Sequence, residues 1–411
     1  MVTAAAMVLL YSALFSSLLC SPATAQERPD FCIFPYRCPT AARISPQVGQ
    51  RGTRVTLLLQ GARLQEIEDV LFYQPGLRYV GFKPVEQVPD DTNQKLKPTP
   101  AGTAAALTLE ISKDCPLGEH FLRIRTSDEL SEIVSFWVSP FQCVGEAHLG
   151  HDGPGNTNGT IETAQPIELN TSVYGYHPSY STIDYDFYSV GLKKGQRLTV
   201  EVWSSGLGYQ HFRGMSDIAI TVYGPDHKRV AYVDDSSLRD MDPLLDIQVE
   251  ESGTYYISIH QNMDFEGTLR HYVAHFSDAP RPLITYPLGG QAGTVLEGIA
   301  MGDIGGSTEF RLTLPDRPGA FEKSIIEYST PGAVIPNGIQ VASFPSVLED
   351  GDAHFQPETA QIWNGKLPVA INGRIEHEGK TDWFRFTAKK GQRYRIRTYA
   401  AALGSPLDAT S

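Results

Sequence analysis

A duplication constrains this chain more than any other feature. Residues 162–197 return in the same register at residues 358–393: Glu-Thr-Ala-Gln, an Asp-aromatic strand, and Lys-Lys-Gly-Gln-Arg recur at a constant offset of 358 − 162 = 196. A period this long is one domain plus a spacer, so the chain is read as an array of modules. A second repeat is interleaved with the first. Ile44-Ser45-Pro46-Gln47-Val48-Gly49-Gln50-Arg51-Gly52-Thr53 reappears from Ile284, with Pro, Gly, Gln, Gly and Thr aligned at 291 − 50 = 241. Residues 138–144 resemble residues 341–347, so each module of this kind ends where one of the other kind begins. The order is A-B-A′-B′.

The short segments between Gly, Pro, Asn and Asp clusters alternate with period two and are rich in β-branched and aromatic residues. Strands are expected at residues 54–59, 107–111, 121–126, 187–190, 198–203, 218–223 and 254–260. Long periodic helical stretches are absent, which predicts an all-β chain of tandem β-sandwiches. Residues 193–196 read as a polar turn, with residues 198–202 as the hairpin partner of the Asp-aromatic strand.

The first 25 residues read as a targeting segment. The run 7–20 is apolar but too short to span a bilayer, and Ala23-Thr24-Ala25 before Gln26 has the small-x-small form of a cleavage site. No Lys or Arg precedes the run, which is atypical, and Leu18-Leu19 before Cys20 makes a poor lipid-attachment site. The mature chain is expected to be secreted, periplasmic or at the cell surface, without membrane insertion. Its formal charge of −13, with no basic stripe, disfavours nucleic acid. Cys32, Cys38, Cys115 and Cys143 allow three pairings. One pairing closes Cys32 with Cys38 and leaves Cys115 with Cys143.

The B motifs resemble the bacterial pre-peptidase C-terminal (PPC) domain. They are the Glu-Thr-Ala-Gln lead-in, Asp186-Phe187-Tyr188-Ser189-Val190 or Asp382-Trp383-Phe384-Arg385-Phe386, Lys-Lys-Gly-Gln-Arg, and residues 217–223 and 253–259. The A motifs resemble the immunoglobulin-like IPT/TIG fold. These resemblances imply Ig-like modules alternating with jelly-roll-like ones. The boundaries are a signal peptide at 1–25, a Cys-containing segment at 26–40, Ig-like modules at 41–143 and 279–347, a linker at 144–160, and PPC modules at 161–278 and 348–411. The last is shorter than the first and is expected to stop inside the domain.

Some relatives of the B module bind calcium through acidic stretches. That makes calcium the candidate cofactor, and Asp234, Asp235 and Asp242 the candidate ligands, in an acidic loop that also holds Asp240 and Asp246. The usual acidic lead-in is replaced by Gly155-Asn156-Thr157-Asn158-Gly159 in one copy and Leu348-Glu349-Asp350-Gly351-Asp352 in the other.

Catalytic patterns fail on inspection. His271 and His275 lack the Glu of a metalloprotease helix and fall in a strand pattern, as a surface or edge-strand pair. Gly305-Gly306-Ser307 is not a nucleophile elbow. Trp203 and Tyr209 near His211 would suit a sugar platform, although strand packing accounts for Trp203 as well. The reading is a non-catalytic exported protein whose modules act as spacers and as adhesive or ligand-binding elements toward an extracellular polymer or protein. The alternative is the accessory N-terminal part of a secreted hydrolase.

Overall fold

The computed structural model describes residues 44–407 except 62–63, 65–66, 90–95, 127–129, 132, 148–157, 178–183, 208–216, 237–240, 263–269, 318–324, 330–332, 334–335, 352–353, 376–378 and 406. The expected signal peptide, Cys32 and Cys38 lie outside these residues. The described chain is nearly all strand, arranged as tandem two-sheet sandwiches.

Module A contains β1 (Ile44–Ser45), β2 (Val48–Gln50), β3 (Arg54–Gln60), β4 (Asp69–Phe72), β5 (Leu77–Pro84), β6 (Gln87–Pro89), β7 (Leu96–Pro98), β8 (Ala104–Ile111), β9 (Gly118–Arg125) and β10 (Val134–Ser139). One sheet runs β1-β3-β8-β5 and the other β2-β10-β9-β4, with β6 and β7 in a separate hairpin. The alternation read from the sequence is the one that folds: Leu57, Leu59, Leu107, Leu109, Leu122, Ile124, Phe136 and Val138 point into one core.

Module B contains β11 (Gln142–Gly145), β12 (Gln165–Pro166), β13 (Thr171–His177), β14 (Tyr185–Leu192), β15 (Arg197–Trp203), β16 (Ile218–Tyr223), β17 (Arg229–Val233), β18 (Leu244–Gln248), β19 (Gly253–Gln261) and β20 (Arg270–Ser277). Its sheets run β11-β13-β20-β15-β18 and β12-β14-β19-β16-β17. Two expectations change here. First, β14 and β15 are not a hairpin: β14 pairs with β19 and β15 with β20, so the Lys193–Arg197 turn carries the chain from one sheet to the other. Period-two alternation cannot tell these cases apart, because both leave the strands antiparallel and half-buried. Second, the expected linker at 144–160 begins inside β11, which pairs in parallel with β13 and so belongs to module B.

Module A′ contains β21 (Ile284–Tyr286), β22 (Gly289–Gln291), β23 (Val295–Met301), β24 (Thr308–Thr313), β25 (Ile325–Tyr328) and β26 (Asn337–Ala342), in sheets β21-β23-β24 and β22-β26-β25. Its lead-in turn repeats that of A. Gly49 pairs with Val138 in β10, and Gly290 pairs with Val341 in β26. The turn Gly52 has φ +82° and its counterpart Gly293 has φ +74°, a left-handed conformation that favours glycine. Thr53 and Thr294 each donate their hydroxyl to the carbonyl three residues back, at 2.7 Å in both copies.

In B′, β27 (Ser346–Leu348) pairs with β29 (Ala370–Asn372), and β28 (Gln361–Trp363) with β30 (Phe384–Phe386). Both pairs are parallel, as are their counterparts β11/β13 and β12/β14. The register is also reproduced: Gln165 faces Tyr188 and Gln361 faces Phe384, each at the 196-residue offset.

Candidate metal centres and the module junctions

Module B buries three carboxylates at one end of its sandwich. Glu146 follows β11, while Asp184 and Asp186 flank the first residue of β14, and all are no more than 5% exposed. Strand alternation explains Asp186, which shares the inward face of β14 with Tyr188, Val190 and Leu192. Tyr272 of β20 reaches across from the other sheet, donating its hydroxyl to Asp186 Oδ2 at 2.7 Å and approaching Glu146 Oε2 at 3.2 Å. Asn158 Nδ2 donates to Asp186 Oδ1 at 3.2 Å. His177, the last residue of β13, is fully buried against the Tyr272 ring, and its Nε2 lies 3.2 Å from Asp186 Oδ2. The His177, Asp184 and Asp186 ligand atoms all lie within 4.8 Å of one another.

This crowding raises the cost of charge. Burial, with the neighbouring charges of Asp186 and then Asp184, holds the Glu146 carboxyl well above the usual carboxylate range. Burial likewise raises the Tyr188 and Tyr272 phenols, with Asp186 the next cause for each.

Module B′ builds a related cluster from Glu349, His354 and Asp382, whose ligand atoms also lie within 4.8 Å of one another. His354 Nε2 is 3.6 Å from Glu349 Oε2 and 3.9 Å from Asp382 Oδ1. The carboxylates occupy equivalent places in the two modules. Asp382 is Asp186 plus the 196-residue offset. Glu146 accepts the Tyr176 backbone N–H at 3.3 Å and Glu349 the Arg374 N–H at 2.6 Å, from equivalent positions near the end of β13 and just past β29. The imidazoles are not equivalent. His354 stands where the first copy has Asn158, and both residues give their carbonyl to the N–H after the aspartate, at 2.7 Å to Phe187 and 2.9 Å to Trp383.

The acidic loop expected to bind calcium is arranged differently. Asp242 is buried as a turn cap: Oδ1 accepts the N–H groups of Ser204 and Ser205 at 3.0 and 2.7 Å, and Oδ2 that of Gly206 at 2.7 Å. Asp234 and Asp235 lie instead beside Asp217, whose carboxyl is raised by burial and then by Asp235 and Asp234. Among the described residues, Asp234, Asp235 and Asp242 do not form a three-ligand cluster. Asp246 is taken by Arg197, and Asp240 lies outside the described residues. Sequence reading passed over Glu146, His177 and Asp184 because they come from three separate segments. It assigned Asp186 and Asp382 to the fold signature alone.

His271 and His275 lie on β20, a central strand rather than an edge, and both are buried. His275 Nδ1 lies 2.8 Å from Ser172 Oγ. Gly305 and Gly306 form a loop, as expected, with Gly305 N–H donating to Asp303 Oδ1 at 2.7 Å. Tyr209 and His211 lie outside the described residues. Cys115 and Cys143 are both free, which overturns their expected pairing. Cys115 sits in the A core beside His120, whereas Cys143 packs at the A–B junction. Burial pushes the two thiols up to about 11 and about 12, respectively.

Successive modules meet through buried contacts. At A–B, β10 and β11 are separated by two residues, and Trp137 packs on Trp203 with ring centroids 4.5 Å apart and planes inclined by 44°. Val48, Leu207 and Val273 complete that junction core. Ser139 Oγ of A lies 2.7 Å from Ser172 Oγ of B. Between B and A′, the fully buried Arg281 clamps Glu201 with two donors at 2.7 and 3.0 Å, and its guanidinium is pushed down to about 10 by burial. Arg197 bridges Asp246 of B and Asp303 of A′. Between A′ and B′, Asn372 Nδ2 and Ser346 Oγ both donate to Gly289 O at 3.3 Å, and Arg374 lies over the Tyr286 ring at 4.8 Å.

Residues 184–261 match the sequence profile of the bacterial pre-peptidase C-terminal domain. No curated protein matches the chain. Among solved structures, the chain is similar to the pre-peptidase C-terminal domain of collagenase from Bacillus anthracis, at 14% identity and a TM-score of 0.21, over 28% of this chain and 94% of that one. It is also similar to SGBP-B of the Bacteroides ovatus mixed-linkage glucan utilization locus, at 8% identity and a TM-score of 0.17, over 55% of this chain and 71% of that one. A third similarity is to the Yersinia pseudotuberculosis adhesin InvE, at 9% identity and a TM-score of 0.16, over 69% of this chain and 60% of that one. Scores this low carry no functional argument. Among the described residues, no helix is long and apolar enough to cross a membrane. The segment from β14 to β19 thus carries one match to the bacterial pre-peptidase C-terminal domain, within an all-β tandem chain.

Proposed function

We propose that the chain is a non-catalytic, exported spacer and adhesive protein in which Ig-like A modules of IPT/TIG type alternate with B modules of PPC type. The observation that carries this reading is the set of junctions. Flexible tethers join modules through exposed polar linkers, and relative motion is then the default. Here Trp137–Trp203, Arg281–Glu201 and Asn372–Gly289 bury a contact at each successive joint. Such joints fix the spacing and orientation of whatever the array presents. The apolar run and Ala23-Thr24-Ala25 support export, and the net charge of −13 disfavours nucleic acid as the partner.

The experiment is a pull-down of the exported protein on insoluble polysaccharides, collagen and whole cells, with turnover of each polymer followed in parallel. Retention on one polymer without its hydrolysis is expected. Hydrolysis abolished by a single substitution would instead assign the chain to a secreted hydrolase, and failure to bind any polymer or cell surface would remove the adhesive role.

A further inference from the structure

We propose, resting on the adhesive role given above, that module B′ carries the polymer-binding surface and that its ligand is an acidic polysaccharide. Its uronate carboxylates are held by Lys389, Lys390, Arg393, Arg395 and Arg397.

The duplication supplies an internal control. Residues 383–407 hold six cations, with Arg385 as the sixth, and no carboxylate, whereas the matching residues 187–211 hold Lys193, Lys194 and Arg197 together with Glu201. Both copies build the same strand pairs, so folding does not call for the extra cations. Charge is also segregated along the chain. Residues 142–278 carry 8 basic and 19 acidic residues, a balance of 8 − 19 = −11, whereas residues 348–411 carry 9 and 8, a balance of 9 − 8 = +1. Most of the −13 therefore belongs to module B, and the whole-chain figure conceals the cationic surface of B′.

That surface starts at a turn. The Gln392 N–H donates to Lys389 O at 3.2 Å, and the Lys389 N–H donates to the Tyr394 hydroxyl at 2.9 Å. Arg393, Arg395 and Arg397 follow at alternate positions, and all five cationic side chains are exposed. Their counterparts on β15 are Arg197, Thr199 and Glu201, which share one face of module B. Arg197 Nε lies 3.0 Å from Thr199 Oγ1, both donate to Asp246 Oδ1, and Glu201 receives Arg281 from A′. B′ thus has three arginines at positions where B has one.

Module B also shows what such a surface takes. Arg197 grips Asp246 with two donors, Nε to Oδ1 at 2.8 Å and Nη2 to Oδ2, and meets the carboxylate of Asp303 as well. A planar guanidinium fork matches a planar carboxylate, and Arg393 is the 196-residue counterpart of Arg197. The face also rejects the partner that B accepts. Arg397 stands where Glu201 holds Arg281, so a module presenting an arginine there would be repelled. A chain of uronates meets several arginines at once, and exposed pairs that are individually weak then act together. Module B, at −11, repels the same polymer, which confines binding to the B′ part of the array.

The test titrates the exported chain with polygalacturonate, and with carboxyl-reduced polygalacturonate, neutral glucan, dextran sulfate, poly-glutamate and duplex DNA for comparison. Polygalacturonate is expected to bind more tightly than all of these and to be released as salt rises. Arg393→Gln, Arg395→Gln and Arg397→Gln should each weaken binding by up to about fivefold, and the triple variant by about tenfold or more. Lys193→Gln with Lys194→Gln, in the matching turn of module B, should leave binding unchanged. If the triple variant does not fold, Lys389→Gln with Lys390→Gln reports on the same surface. Polygalacturonate binding that survives both sets of B′ substitutions, or equal binding of dextran sulfate, poly-glutamate or DNA, would overturn the proposal. Binding of neutral glucan alone would overturn it and leave the adhesive role standing, whereas failure on every polymer and on whole cells would remove both.

Discussion

Replacing Trp137 with alanine separates the A–B junction from the cores on either side of it. Along β10 the side chains alternate: Val134, Phe136 and Val138 enter the A core, while Trp137 faces module B with Val48, Leu207, Val273 and Trp203. Trp137 is only 3% exposed, so its truncation removes a fully packed indole from the seam without hollowing either sandwich. Truncating a buried tryptophan costs about 3–5 kcal/mol. The tilted ring pair with Trp203 adds a coupling of about 0.5–1.5 kcal/mol beyond the area it buries. Urea denaturation of Trp137→Ala, Trp203→Ala and the double variant yields both numbers through a mutant cycle. Calorimetry of Trp137→Ala should also resolve the unfolding of A and B into separate transitions. A loss below about 1 kcal/mol, with the two substitutions strictly additive, would refute the argument that this seam fixes the modules relative to each other.

Two further outcomes are expected. Asp303→Asn should weaken the B–A′ joint by about 1–2 kcal/mol at neutral pH, as for a hydrogen-bonded charge with some solvent screening. Burial pushes the Asp303 carboxyl up, but Arg197 and the N–H groups of Arg281 and Gly305 outweigh it and hold the carboxyl low. A lowered folded-state value means that the contribution is present above the ordinary carboxylate range and is lost as pH falls through the folded value. Denaturation of wild type and Asp303→Asn against pH should therefore converge in acid, and a constant difference would contradict the assignment. Cys115 and Cys143 should resist alkylation in the native chain and react fully once it is unfolded without reductant. A disulfide-linked peptide containing both residues would show that they pair after all.

Local periodicity and the repeats were enough to read the all-β class and most strand positions. Residues 218–223 are bounded as expected, and residues 54–59 differ from β3 by one residue. Duplication told more than composition, because Gly52 and Gly293, or Gln165 and Gln361, must satisfy the same backbone geometry twice. Pairing was not legible. The β14–β15 turn looks the same to a sequence whether the chain folds back as a hairpin or crosses to the other sheet, since alternation fixes faces and not partners. The candidate site was hidden for a related reason. Asp234, Asp235 and Asp242 are close in sequence, yet Asp242 is drawn inward to cap the turn at Ser204. Glu146, His177 and Asp186 are distant in sequence and come together only because β11 pairs with β13 and Tyr272 of β20 spans the two sheets. Sequence determined which residues face inward. Only long-range pairing decided which inward-facing residues meet, and a cluster of buried charge exists only at such meetings.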